Sequence, residues 1–150
     1  MTLATPAEAA LGLALATLLT ELDAPAARRR AHRRQIYCYI ERHLGDARLS
    51  PQSIAAAHHI SLRQLYKLFA EEQQPVAEWI RTRRLQHCRR DLADPTLADR
   101  PVAAIAARWG FASATHFNRL FKHAYGMPPG QYRLMHAQHT AARHLLQLLV

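Results

Sequence analysis

This 150-residue chain is short of several things at once. It holds two cysteines, Cys38 and Cys88, in no close spacing. A disulfide scaffold and a zinc module are therefore excluded, and a reducing compartment is the simplest home. Val, Ile and Thr are sparse, and no alternating apolar and polar run reaches strand length. No Lys or Arg occurs before Arg28, and no Asp or Glu after Asp99. Past residue 23 there is no uncharged apolar run of membrane-spanning length. The apolar-rich stretch 7–22 carries Glu8 and Glu21, which reads as too short and too weakly hydrophobic for a span. It also lacks the basic start of a signal peptide. No glycine-rich phosphate loop and no nucleophile elbow appears, so no enzyme chemistry is expected.

What is present is basic, apolar and helical. Twenty Lys and Arg against eleven Asp and Glu give a net charge of +9, and 49% of the residues are hydrophobic. The apolar share excludes a disordered basic tail, and the length allows a core without staples. A basic chain with an acid-free second half points to a polyanion partner.

Leu, Ala, Arg and Gln dominate, all good helix formers. The spacing predicts a helix over 7–22 with Leu11, Leu15, Leu18, Leu19 and Leu22 on a stripe, ended by Asp23-Ala24-Pro25. A second helix is expected over 27–44, inward at Ile36, Tyr37, Ile40 and Leu44, with Gly45 as C-cap. Its start holds Arg28, Arg29, Arg30, Arg33 and Arg34, read equally as phosphate contacts or as a solvated segment. Ser50 and Pro51 begin a third helix, and Ser61 caps a fourth over 62–71. A longer helix is expected over 75–92. A loop over 93–100 follows, where Asp91, Asp94 and Asp99 read as helix caps. Helices over 101–108 and from Ser113 to about Gly126 come next, and Tyr132 should fold back on the core. A final helix over 134–150 carries Leu145, Leu146, Leu148, Leu149 and Val150. Trp79, Trp109, Phe69, Phe111, Phe117 and Phe121 read as core, and Cys38 and Cys88 as buried thiols. The ten histidines read as solvated, and no metal or cofactor is expected.

Two stretches share one plan. Residues 51–69 and 101–121 each give a short helix, a turn, a serine cap and a second helix ending Leu-Phe. Ser61 to Phe69 and Ser113 to Phe121 have the same offset, with Leu65 matching Phe117 and Lys67 matching Arg119. This is a duplicated helix-turn-helix, a motif that lays its second helix in a DNA major groove. Arg63, Gln64 and Lys67 stand within about one helical turn, as do Thr115, His116, Asn118 and Arg119, and their side chains suit base edges. The joining helix would be roughly 27 Å long, comparable to the ~34 Å between successive major-groove faces. On the residues alone, a protein-interaction adaptor and a non-specific nucleic-acid binder remain open beside sequence-specific DNA binding.

Residues 36–133 also resemble the DNA-binding domain of the AraC/XylS transcriptional regulators. The pattern runs Pro101-Val102-Ala103-Ala104-Ile105-Ala106, then Trp109-Gly110-Phe111, Ser113, His116-Phe117, Arg119, Phe121-Lys122, Tyr125-Gly126, Pro129 and Tyr132-Arg133. Leu65, Leu68-Phe69, Trp79-Ile80, Arg83-Arg84-Leu85 and Leu92 are similar in the first half. The resemblance implies an all-α fold of two helix-turn-helix subdomains joined by a long helix, with an N-terminal helix and a helical tail. It divides the chain into an N-terminal helix and basic linker (1–30), which resembles the end of a sensor or dimerisation domain. The double DNA-binding domain (31–133) and a tail (134–150) follow.

The resemblance implies base reading by Arg63, Tyr66 and Lys67 and by Thr115, Asn118 and Arg119, with Ala114 nearby. Ser61, Arg81, Arg83, Arg84, Ser113, His116 and Lys122 are the candidate phosphate contacts. The implied partners are double-stranded DNA and RNA polymerase, with no membrane, in a cytoplasmic monomer or weak homodimer. Two positions depart from the family pattern, which often has glycine where this chain has His59 and Gln73. A left-handed backbone at either would carry strain.

Overall fold

The computed structural model describes residues 6–71 and 73–148, with side chains from 10 to 139 apart from those of Leu22 and Glu72. Its elements are α1 (Pro6–His43), α2 (Pro51–Ala57), α3 (Leu62–Ala70), α4 (Val76–Ala93), a 3-10 turn (Pro95–Leu97), α5 (Val102–Arg108), α6 (Ala114–Tyr125) and α7 (Pro129–Leu148). No strand occurs among the described residues. The chain divides into two compact units, Met1–Cys38 and Tyr39–Val150.

The first unit is the N-terminal part of α1, and it corrects the expected break at Asp23-Ala24-Pro25. The helix runs through Pro25 without ending. A proline inside a helix loses one hydrogen bond and costs about 3 kcal/mol. Here Pro25 and the Glu21 carbonyl's residue are both exposed, so water can take up the freed acceptor. Alanine on both sides, leucine before it and arginine after it favour continuation. The expected boundary at residue 30 therefore lies inside an unbroken helix. By length and composition alone, Ala10–His43 contains an 18-residue window apolar enough to cross a membrane, a property that core helices of soluble proteins share. Leu11, Leu15, Leu18 and Leu19 are exposed, and Leu22's side chain lies outside the described residues. Cys38 is exposed, contrary to expectation. It stands two residues after buried Ile36 and two before buried Ile40, which turns it to the far side of the helix.

The second unit holds the double motif. Its buried cluster comprises Leu85, Cys88, Leu92, Ile105, Ala106, Phe111, Phe117 and Phe121, with Val102, Trp109, Leu120, Tyr125 and Tyr132 packed against it. Tyr132 does fold back on the core, its ring centroid 5.6 Å from that of Phe121. It sits on α7, which starts at Pro129, so the expected boundary at 133 is not a break. The stripe expected at Leu145, Leu146, Leu148, Leu149 and Val150 lies outside the residues whose side chains are described. Cys88 is the buried thiol the sequence suggests, and burial pushes its pKa up to about 12.

Gly45 is no left-handed cap. A Cβ there would meet the Arg108 carbonyl at 2.7 Å, so glycine is needed for a close approach of two backbones. Asp94 caps the 3-10 turn through Thr96 N–H at 2.9 Å. Asp91 caps nothing: it is buried and accepts from Trp109 Nε1 at 2.7 Å. A largely covered indole N–H needs a partner, and α4 supplies it.

Candidate DNA-reading interface

Each reading helix is built by a local cap and an inward stripe. In the first motif Ser50 caps α2, its Oγ accepting from Ser53 N–H at 3.2 Å, with Pro51 at the first position. The turn closes by His59 N–H to the Ala56 carbonyl and Ile60 N–H to that of Ala55. Ser61 then caps α3 reciprocally. Gln64 N–H donates to Ser61 Oγ at 3.1 Å and Ser61 N–H to Gln64 Oε1 at 2.9 Å. This capping box removes Gln64 from the base-reading candidates, because its carbonyl is engaged at the helix start.

The second motif repeats the scheme. Gly110 N–H bonds to the Ala107 carbonyl and Phe111 N–H to that of Ala106. Ser113 Oγ accepts from His116 N–H at 3.2 Å. The hydrogen bonds align His59 with Gly110, and both are left-handed, with φ of 52° and 82°. One residue, Ala112, is then extra before the second cap.

The two reading faces are equivalent. Leu65 and Phe69 are buried on α3, as are Phe117 and Phe121 on α6. At about 100° per residue, Arg63 and Lys67 lie on the opposite side of α3 and Tyr66 on its flank. Thr115, Asn118 and Arg119 take the corresponding places on α6, fifty-two positions on in each case, and all six are exposed. Tyr66 presents a large ring that is 47% exposed. Arg119 Nη2 donates to His116 Nδ1 at 3.2 Å, which links one base-reading candidate to one phosphate candidate.

The phosphate candidates separate into three groups. Arg81, Ser113 and His116 line a single cleft of about 350 Å3, beside Ser50 and Pro51. Ser61 and Lys122 are exposed on α3's cap and on α6. Arg83 and Arg84 are turned inward. Arg84 Nε donates to the Leu44 carbonyl at 2.8 Å and its Nη2 to the Asp46 carbonyl at 2.6 Å. Burial lowers its pKa, opposed by the Asp46 charge. Arg83 Nε pairs with Glu41 Oε1, and its Nη1 donates to Gln86. Both guanidiniums hold protein acceptors, which sets them apart from the other phosphate candidates, while the Arg83 side chain stays 39% exposed.

A polar network that the sequence reading misses surrounds these arginines. His87 Nε2 lies 3.2 Å from Glu41 Oε2, and the His87 ring stacks on Trp109 at 4.2 Å. Burial alone would raise the Glu41 pKa, but hydrogen bonds from Arg83 and His87 outweigh it and hold the carboxyl below its ordinary value. One signal was available, since Trp109 at a turn needs an acceptor for its N–H.

Among known proteins, the family model described as a helix-turn-helix domain matches residues 54–135, more than half of the chain. The transcriptional activator NphR of Rhodococcus sp is 37% identical over 128 residues, which cover 83% of this chain and 37% of NphR. The chain thus spans well under half of that relative. The C-terminal domain of AraT, a response regulator from Geobacillus stearothermophilus, is 25% identical with a TM-score of 0.64, covering 69% of this chain and 84% of that one. The DNA-binding domain of AdpA, solved in complex with a target DNA, has the same fold at 21% identity, TM-score 0.64, covering 71% and 94%. The order of caps, turns and stripes, the paired faces and these matches agree: the chain belongs to the AraC-type helix-turn-helix family of DNA-binding transcriptional regulators.

Proposed function

We propose that this chain reads two adjacent major-groove segments on one face of a DNA duplex and so regulates transcription. One observation carries the reading. The triads Arg63, Tyr66, Lys67 and Thr115, Asn118, Arg119 stand at the same offsets, exposed, on two serine-capped helices. Arg119 donates to guanine O6 and N7, and Arg63 and Lys67 act similarly in the other groove. Arg81, Ser113 and His116 seat a backbone phosphate between the two heads, with Ser61 and Lys122 at their flanks. Such contacts position the protein without reading sequence.

The remaining assignments belong to the same reading. The chain works as a binder, not as a catalyst, in the cytoplasm, and RNA polymerase is its protein partner. It is a monomer or a weak homodimer. The exposed Leu11, Leu15 and Leu18 support a small self-association surface in the N-terminal helix.

The test is selection of duplexes from a random library, followed by competition against bulk DNA over a salt series. Specific binding predicts an enriched sequence that survives competitor at salt where random duplex has dissociated. No enrichment, with equal affinity for every duplex, would leave a non-specific binder. No binding to any duplex at low salt would leave an adaptor.

A further inference from the structure

We propose that Arg84 is a positioning residue that sets the spacing between the two reading helices. This rests on the DNA reading above. Arg84 rises from α4, the helix that joins the two motifs. Its fork holds the Leu44 and Asp46 carbonyls, at 2.8 and 2.6 Å, in the segment that leads into Ser50 and α2. The turn of the second motif packs against the same place. A Cβ on Gly110 would come within 2.8 Å of Arg84 Cζ and Nη2 and 2.7 Å of the Leu44 carbonyl. The lead-in to the first motif and the turn of the second are therefore packed against one planar guanidinium, and Gly110 has no side chain because none fits. At this point the second turn packs both on the Leu44 carbonyl itself and on the guanidinium that holds that carbonyl.

The chemistry suits the task. A guanidinium is rigid and offers several donors in a fixed fork, so it fixes two carbonyls at once, whereas a lysine ammonium is a single point on a flexible stem. A second brace runs beside it. Arg83 and His87 of α4 share Glu41 at the end of α1, His87 stacks on Trp109, and Trp109 donates to Asp91 of α4. These contacts tie the lead-in, α4 and the second turn to one another.

A rigid spacer has a measurable signature on DNA. Inserting or deleting one base pair between two half-sites shifts one head by about 3.4 Å and about a tenth of a turn. A rigid protein cannot follow, while a hinged one can. The experiment takes a duplex selected from a random library and inserts or removes one base pair between its two protected segments. Affinities of the wild type, Arg84→Lys and Arg84→Ala are measured on all three duplexes and on each half-site alone. Thermal melts by circular dichroism report folding.

The wild type is expected to lose at least about tenfold per base pair of mis-spacing, roughly 1.4 kcal/mol. Arg84→Lys should bind the selected duplex several-fold more weakly, discriminate spacing by less than about threefold, and bind single half-sites as the wild type does. Retention of the full spacing discrimination in Arg84→Lys overturns the inference. Equal losses on single half-sites and whole sites overturn it too, because they mark a merely structural role. If both variants fail to fold, Arg84 holds the domain together and the spacer role is rejected. A wild type that enriches no duplex would instead overturn the DNA reading itself, and this inference with it.

Discussion

The two helix-turn-helix motifs use the same serine-to-phenylalanine spacing with different materials. The first turns at His59, φ 52°, and α3 is followed by Gln73 at φ 53°. The second uses Gly110 and Gly126 at the corresponding left-handed positions. A side chain in that region costs about 1–2 kcal/mol. The reading helices differ as well, since α3 has 9 residues and α6 has 12. The second motif also carries the linked rings of Phe111, Phe117, Phe121 and Tyr132. A shared plan for presenting side chains to DNA thus leaves each motif its own stability, and the first is the more strained of the two.

The largest expected effect lies in the second core. Phe117 is fully buried and touches both Phe111 and Phe121. Phe117→Ala should destabilise the second unit by about 4 kcal/mol, from lost burial plus the cavity left behind. Chemical denaturation checks this, and an unchanged midpoint would mean that the helix faces are misassigned. Next comes Gly110→Ala, at about 3 kcal/mol, because the new methyl meets the Leu44 carbonyl and Arg84 at a left-handed residue.

Base reading should follow at a smaller scale. Arg119→Ala should cost about 2 kcal/mol on a selected duplex and much less on a scrambled one, since a bidentate base contact carries specificity. Equal losses on both would make Arg119 a backbone contact. Lys67→Ala, its counterpart in the first motif, should show the same asymmetry more weakly. The smallest effect has the opposite sign. His59→Gly should stabilise the protein by about 1 kcal/mol by relieving a strained turn, whereas any substitution of Gly110 destabilises. A neutral or destabilising His59→Gly in thermal melts would remove the strain argument and bring the two motifs closer together.

Where the sequence was legible, the cause was local. Ser50, Ser61 and Ser113 cap because a short oxygen-bearing side chain reaches the next turn's N–H in almost any context. Pro75 and Pro101 start helices for an equally local reason. The Leu-Phe stripes of α3 and α6 follow from the helical period. Where the reading failed, the cause was tertiary. Pro25 is the exception, where the cause is local: α1 continues through it because the lost bond lies at an exposed position. Arg83 and Arg84 look from their spacing like two more bases for phosphate. Only the fold brings Glu41 and the Leu44 and Asp46 carbonyls to them from some forty residues away. Asp91 looks like a cap beside a loop, and the indole of Trp109 claims it across the core. Of the candidate site, the exposed polar positions on each helix could be seen in advance, and the contacts that hold the helices in place could not.

The central claim is that two heads grip two adjacent grooves of one duplex face. A hydroxyl-radical footprint on a selected duplex at saturation tests it most directly. Two protected stretches on one face, centred about one helical turn apart, are predicted. A single protected stretch of about 5 base pairs, little more than one recognition helix can cover, would contradict it.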